Sequence, residues 1–323
     1  MFSNSLKQSL ESVSVKDFYQ SCGDLLELKL VECAPGLSRI IKEKSINRPA
    51  LALTGYLKHF ANKRLQLFGA GEMGYLRDLS ISMQNNVLTL IAQKGIPCIV
   101  VSRNLSPTKS MIDIARQFNI PLFRTPLQSK DFSAQATILL EGMTAPRVAL
   151  HGTLVDLRGV GTLIRGESGI GKSECALALI ERGHSLVADD VVHIRSFAEK
   201  TLIGTGSELN RGYMECRGIG IINVAELFGI RAVRLEKEIN LVVTFKEWFP
   251  GVPEDRTGLD QSYFEILGKE VPHAEIPVRP GRDMARLVEV ATMVHALKCV
   301  GYNSAHEFNK RLIDYMQNEQ QEY

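Results

Sequence analysis

"RGESGIGKSECALALIERGHSLVADD", residues 165–190, packs glycines, a lysine, a hydroxyl and two adjacent carboxylates into one short span. Within it, GESGIGKS at 166–173 satisfies G-x-x-x-x-G-K-[ST]. "GTLIRG" before it reads as a strand, and "KSECALALIERG" after it carries the apolar spacing of a helix that Gly183 ends. A phosphate-binding loop requires that strand, loop and helix order, so the stretch predicts an α/β fold whose helix start faces a phosphate. Average residue usage produces the bare pattern in roughly one chain of this length per hundred, and the flanking elements lower that further.

The loop's chemistry follows from its residues. Gly166, Gly169 and Gly171 let backbone N–H groups wrap phosphates, with Glu167, Ser168 and Ile170 completing the loop around them. Lys172 is expected to contact the β and γ phosphates and Ser173 to ligate Mg²⁺. "SLVADD" reads as a strand ending on Asp189 and Asp190, where a P-loop protein places its metal-facing acid. One carboxylate can orient the metal or its waters while the other accepts a proton from an attacking hydroxyl. A GTPase would also need D-x-x-G after a later strand and N-K-x-D for the base. "DLRG" at 156–159 precedes the loop, "DRTG" at 255–258 follows a proline-rich segment, and "NKRL" at 62 and 309 lacks the aspartate. ATP is the better nucleotide.

The 323 residues, 45% hydrophobic and 23% charged, are enough for two ordinary domains with buried cores. A net charge of +2 without a concentrated basic stripe gives no reason to expect a nucleic-acid partner. No apolar run reaches membrane-spanning length and the amino terminus lacks a signal-peptide core, so no membrane association and a cytoplasmic location are expected. The six cysteines, Cys22, Cys33, Cys98, Cys175, Cys216 and Cys299, form no C-x-x-C pair and read as reduced packing residues.

Before the loop, "IPCIVVSRN", "SPTKSMIDIARQFNI" and "PLFRT" give a strand, a helix opened by Ser106 and Pro107, and a strand. The polar stretch "TPLQSKDFSAQ" either links two domains or opens a helix, and the join is placed at about 130, giving domains 1–130 and 131–323. "RVALHG" and "GTLIRG" read as strands bracketing a turn, "TLVDLRGV", and the segments beginning at Arg282 and Ser304 read as closing helices separated by Gly301. A second glycine motif, "GAGEMG" at 69–74, matches G-x-G-x-x-G, but "ISMQNNVLTLIAQKGIP" offers no carboxylate for a ribose, so it reads as a glycine-rich turn without a nucleotide.

The P-loop stretch, the upstream "LHGTLVD" and the downstream "MECRGIGIINVAELFG" together resemble the bacterial HPr kinase/phosphorylase family, and "RLQLFGAGEMGYL" resembles the family's amino-terminal domain. The resemblance implies a two-domain α/β protein with a carboxy-terminal P-loop kinase core like that of phosphoenolpyruvate carboxykinase. It implies a bifunctional enzyme of carbon catabolite regulation. Such an enzyme phosphorylates a serine of the carrier HPr from ATP or pyrophosphate and removes it by phosphorolysis, releasing pyrophosphate. Members are homohexamers. On this sequence the family's catalytic groups fall on His151, Lys172, Asp190 and Arg256, and its magnesium ligands on Ser173 and Glu215. Arg256 lies in "FPGVPEDRTG", a loop that could carry a cation onto a phosphoryl group, and "PVRPGR" at 277–282 matches a stretch tied to dephosphorylation. "RGIGIIN" at 217–223 reads by itself as a turn and a buried strand. Two other readings of the P-loop stand beside this one: a kinase for a small molecule, and a nucleotide sensor that transfers nothing.

Overall fold

Runs that are apolar at consecutive positions must be buried on both faces of a sheet, and three such runs organise the first part of the chain. The computed structural model describes residues 12–197, 201–249 and 261–319. The unit that ends at Ala145 opens with β1 (Val13–Ser14), whose Ser14 hydroxyl accepts the Asp17 N–H and caps α1 (Val15–Cys22). β2 (Lys29–Glu32), β3 (Ile40–Ile41) and α2 (Ala50–Leu53) follow. Next come β4 (Gln66–Phe68), α3 (Ala70–Asp78), α4 (Ile81–Ala92), β5 (Ile99–Val101), α5 (Lys109–Gln117), β6 (Leu122–Arg124) and α6 (Ser129–Thr144). The sheet order is β2-β6-β5-β4, with β4, β5 and β6 parallel and β2 antiparallel to β6. Ile99 and Val101 enter a cluster with Phe68, Met73 and Leu88, while Val100 enters the opposite one with Phe18, Phe123 and Phe132. The expected βαβ rhythm is present, although Thr108 rather than Ser106 caps α5.

Phe132, Ala136, Leu140 and Thr144 recur every four residues and form the buried stripe of α6. The first three join the cluster around Phe18 and Phe123. The polar stretch at 125–135 therefore opens a helix of the first unit, and the two units meet between Ala145 and Pro146, later than the join the sequence suggested at about 130. The glycine motif at 69–74 starts α3. Glu72, almost fully buried, accepts the Gly69 N–H at 3.0 Å and pairs with Arg48 through two 3.0 Å contacts. A carboxylate of the chain itself thus fills the place a phosphate would need at that helix start.

The unit from Pro146 onward contains β7 (Arg147–His151), β8 (Thr153–Leu157), β9 (Val160–Arg165), α7 (Lys172–Glu181), β10 (Ser185–Ala188), β11 (Val191–Phe197) and β12 (Thr201–Thr205). It continues with β13 (Tyr213–Cys216), β14 (Gly220–Asn223), α8 (Val224–Phe228), β15 (Glu236–Glu238) and β16 (Leu241–Glu247). β17 (Ser262–Ile266), β18 (Lys269–Val278), α9 (Met284–Cys299) and α10 (Ser304–Glu319) complete it. A six-stranded sheet, β10-β8-β9-β16-β18-β17, is parallel only through β9, β16 and β18; a four-stranded sheet runs β15-β12-β11-β7, and β13 pairs with β14.

Alternation along β16 shows how the layers stack. Leu241, Val243 and Phe245 pack with α7 and α9 residues Ala176, Leu179, Ala285 and Val288, while Val242 packs with Val192, Ile194 and Leu202 of the second sheet. "TLVDL" is itself a buried strand, and the turn is only Arg158–Gly159, with φ of 53° and 96°. Two positive φ values in a two-residue hairpin loop are those of a type I′ turn, so the broad turn expected at 153–160 is corrected to this tight one. Arg182 at the end of α7 bonds Asp283 at 2.6 Å and Glu289 at 2.8 Å, and the buried His184 also meets Glu289 at 2.8 Å, which fixes the P-loop helix against α9. α9 buries Ala285, Val288 and Thr292, as a closing helix should; α10 instead leaves Phe308 and Leu312 exposed.

Candidate active site

The carboxyl ends of parallel strands are where α/β sheets place ligands, and β9 ends there at Arg165. The chain leaves it through Gly166, where a Cβ would stand 2.8 Å from the Phe245 carbonyl oxygen, and enters α7 through Gly171 at φ 101°. Both positions are closed to ordinary side chains, one by contact and one by backbone angle. Glu167 and Ser168 are exposed, whereas Ile170 reaches back into the core beneath α7 and anchors the loop. The first N–H groups of α7 have no intrahelical acceptor and face the loop mouth. Lys172 Nζ donates to the carbonyl oxygens of Gly166 at 3.1 Å and Glu167 at 2.8 Å. Burial holds its ammonium below the usual lysine range, with Asp189, Asp190 and Glu174 opposing that and Arg217 reinforcing it.

The two acids have separate surroundings, although they are adjacent in sequence. Asp189 is half-buried: its Oδ1 accepts the Thr153 hydroxyl at 2.7 Å, and Ser173 Oγ donates to its two oxygens at 3.2 and 3.1 Å. Burial raises its carboxyl, and the two hydroxyls pull it back. Asp190 has φ 65° and stands at the centre of a three-residue turn closed by the Val191 N–H on the Asp189 carbonyl at 2.9 Å. That is a rare backbone for an L-residue, and such conformations gather at functional sites. The turn swings its side chain into solvent beside His151, at the end of β7. Nδ1 lies 3.8 Å from Oδ1 and both side chains are 83% exposed, so the pair is at ion-pair distance and longer than a hydrogen bond.

β13 runs alongside α7 and adds two groups. Glu215 is exposed on it, and Arg217 follows its last residue. The Arg217 guanidinium rests against Gly169, where a Cβ would meet Nη1 at 2.9 Å. The site therefore holds a second cation against the P-loop. "RGIGIIN" does form a turn and a strand, but the strand is exposed at Gly220 and Ile221 and only partly buried at Ile222, which packs on the core. Arg282 is exposed and donates to the Pro277 carbonyl at 3.4 Å, and Arg279 lies 4.2 Å from the Trp248 ring centroid. Arg256 lies outside the described residues.

Lys172, Ser173, Asp189, Asp190, His151 and Arg217 thus converge on one end of the sheet. Sequence reasoning passed over Thr153 and Arg217 as site residues. The only sign of Thr153 was a hydroxyl opening the strand TLVDL, and the only sign of Arg217 was an arginine wedged between a cysteine and a glycine. Cys175 and Cys216 are buried, and burial pushes the Cys175 thiol up to about 12, as befits a packing residue.

The family model described as the HPr Serine kinase C-terminal domain matches residues 142–312, and that described as the HPr Serine kinase N terminus matches residues 13–140. A protein of Caldicellulosiruptor bescii called HPr kinase/phosphorylase is 41% identical over 299 residues, covering 91% of this chain and 96% of its own. A protein of the same description from Leptospira biflexa is 44% identical over 296 residues, covering 91% and 92%. The solved Hpr(Ser) kinase/phosphatase of Coxiella burnetii is 39% identical, covers 50% of this chain and 97% of its own, and superposes with a TM-score of 0.44.

Proposed function

The chain belongs to the HPr kinase/phosphorylase family, and from that premise we propose how its residues divide the two reactions, phosphorylation of a serine on HPr and its reversal. The observation that carries the assignment is the separation of the two acids: Asp189 is tied to the P-loop serine, while Asp190 stands free in solvent beside His151.

In the forward direction the serine oxygen of HPr attacks the terminal phosphorus of ATP or pyrophosphate, the bond from that phosphorus to the bridging oxygen breaks, and Asp190 takes the serine proton. In reverse, an oxygen of inorganic phosphate attacks the phosphoserine phosphorus, pyrophosphate forms, and Asp190 returns the proton to the departing serine oxygen, as microscopic reversibility requires. His151 stands where it can share that proton. Lys172 and Arg217 bracket the phosphate groups with positive charge, and the start of α7 offers its N–H groups to them. Arg256 supplies a further cation in this reading.

The donor set suits Mg²⁺: the Ser173 hydroxyl and the Asp189 carboxylate are hard oxygen ligands side by side, and Glu215 offers a third oxygen donor from β13, which packs against α7. When bound with nucleotide, such an ion neutralises phosphate charge. No described helix is long and apolar enough to cross a membrane; a cytoplasmic location, a hexameric assembly and a phosphoenolpyruvate carboxykinase-like core complete the proposal.

The test is incubation with HPr, Mg²⁺ and terminally labelled ATP, followed by excess phosphate. Label should pass to an HPr serine and then leave as pyrophosphate; label reaching only a small molecule, or no acceptor, would overturn the reading. The groups assigned to chemistry, from His151 to Arg282, all follow Pro146, so the first unit is assigned a regulatory or architectural role. A fragment beginning at Pro146 should retain both activities, whereas one beginning at 131 also carries most of α6, whose Phe132 and Leu140 are then stripped of their core, and should aggregate more readily. A folded 146–323 fragment inactive in both directions would place catalytic groups in the first unit.

A further inference from the structure

We infer that Thr153 is a positioning residue for the nucleotide-bound metal, acting by holding the Asp189 carboxylate in the orientation that Ser173 needs. The inference rests on the reading of Ser173 and Asp189 as the metal's holders.

Ser173 has one hydroxyl proton to give, and its Oγ stands almost evenly between the two Asp189 oxygens, at 3.2 and 3.1 Å. That contact does not fix the rotation of the carboxylate. The Thr153 contact does: it is shorter, 2.7 Å, and goes to Oδ1 alone. Thr153 is fully buried, and its backbone is locked on one side by pairing with Ile164, the residue before Arg165 and the loop. The turn that precedes it is tied to the acids as well, because the Gly152 N–H bonds the Asp190 carbonyl at 3.0 Å. A hydroxyl so placed has little freedom to point elsewhere. For Ser173 to turn its lone pairs toward a cation, its proton must rest on Asp189, and the carboxylate must hold still to receive it. Thr153 supplies that constraint from beneath, without itself reaching the substrate.

A merely structural role predicts something different. Threonine to valine nearly keeps the shape of the buried side chain and removes one hydrogen bond to a charged acceptor. The experiment is nucleotide binding by the full chain, followed by calorimetry with and without Mg²⁺, alongside the rate of HPr phosphorylation across Mg²⁺ concentrations. Thr153→Val should raise the Mg²⁺ concentration at half-saturation about tenfold in both measurements. Metal-free nucleotide affinity and the rate at saturating Mg²⁺ should stay within about twofold of the parent, and Thr153→Ser, which restores the hydroxyl, should recover the parent metal dependence. Should Thr153→Val fail to fold, Thr153→Ala, which adds no bulk, carries the same comparison.

Ser173→Ala, run in parallel, separates the two levels of the argument. If it shows impaired metal dependence while Thr153→Val shows none, the positioning role is overturned and the metal site stands. If Ser173→Ala also leaves metal dependence unchanged, the metal site itself is wrong and Thr153 falls with it. Loss of metal-free nucleotide binding in Thr153→Val, or failure of serine to rescue, would reduce Thr153 to a packing residue.

Discussion

Lys172→Ala should abolish phosphorylation of HPr and phosphorolysis of its phosphoserine together, each falling on the order of 10³-fold or more. Two loop carbonyls, of Gly166 and Glu167, accept its ammonium, so the loop is shaped around a cation and presents oxygen dipoles to it. Removing the cation leaves those dipoles facing phosphate oxygens of the same sign of charge. Arg217 lies against Gly169, yet its guanidinium comes from the turn after β13 and cannot take over the lysine's place between the two carbonyls. Folding should be unaffected, because the position is the first of α7 and alanine is the best helix former. Lys172→Arg should rescue little, since a planar fork does not fit where a single ammonium is gripped. The check is single-turnover transfer in both directions, with thermal unfolding as the control for fold. Transfer within tenfold of the parent in either direction would remove the P-loop lysine from the mechanism.

The parts of this site that were legible in the sequence are those whose chemistry is local. A phosphate-binding loop is made by consecutive residues, so Gly166 to Ser173 could be read directly, and the strand and helix on either side followed from periodicity. The acid pair was legible for the same reason: "SLVA" is an apolar strand and Asp189 and Asp190 end it. Their separate surroundings were not. They depend on the positive φ of Asp190, which turns that side chain away from its neighbour, and on Thr153, which reaches Asp189 from a different strand across the sheet.

Strand pairing also explains the misread turn. "TLVDLRGV" contains Asp156, Arg158 and Gly159, residues usual in turns, but Asp156 is buried, accepting the Gly159 N–H at 2.8 Å and pairing with Arg234 at 2.6 Å. An aspartate with such partners can stay inside a strand. Arg234 comes from distant sequence, so the local pattern pointed the other way. The join between the units was displaced for a similar reason. The stretch 125–135 is polar enough for a linker, and only the four-residue repeat of Phe132, Ala136 and Leu140, buried against Phe18 and Phe123, makes it the start of a packed helix. Arg217 shows the same dependence in the site itself, since nothing beside it in sequence announces that β13 will bring it to Gly169.

Asp190→Asn is expected to slow both reactions by about 10²- to 10⁴-fold, the range a general acid/base group contributes, while leaving Mg²⁺-dependent nucleotide binding near the parent value. Asparagine is the right replacement because it tolerates the left-handed backbone that Asp190 occupies at φ 65°; alanine there would add strain and confuse the result. The side chain is exposed and its neighbour His151 is 3.8 Å away, so little stability should be lost. Asp189→Asn provides the contrast. Asp189 accepts from both Thr153 and Ser173, and asparagine keeps one acceptor oxygen for them but loses the other and the negative charge a cation needs, so that variant should fail first in metal-dependent nucleotide binding. With pyrophosphate as the donor, forward and reverse rates should fall in the same proportion in Asp190→Asn, because the two reactions are then each other's reverse and their equilibrium cannot depend on the enzyme. The decisive comparison is the two variants at saturating Mg²⁺. If Asp189→Asn then loses the chemical step while Asp190→Asn retains it, the proton is carried by the buried carboxylate, and the assignments within the pair must be exchanged.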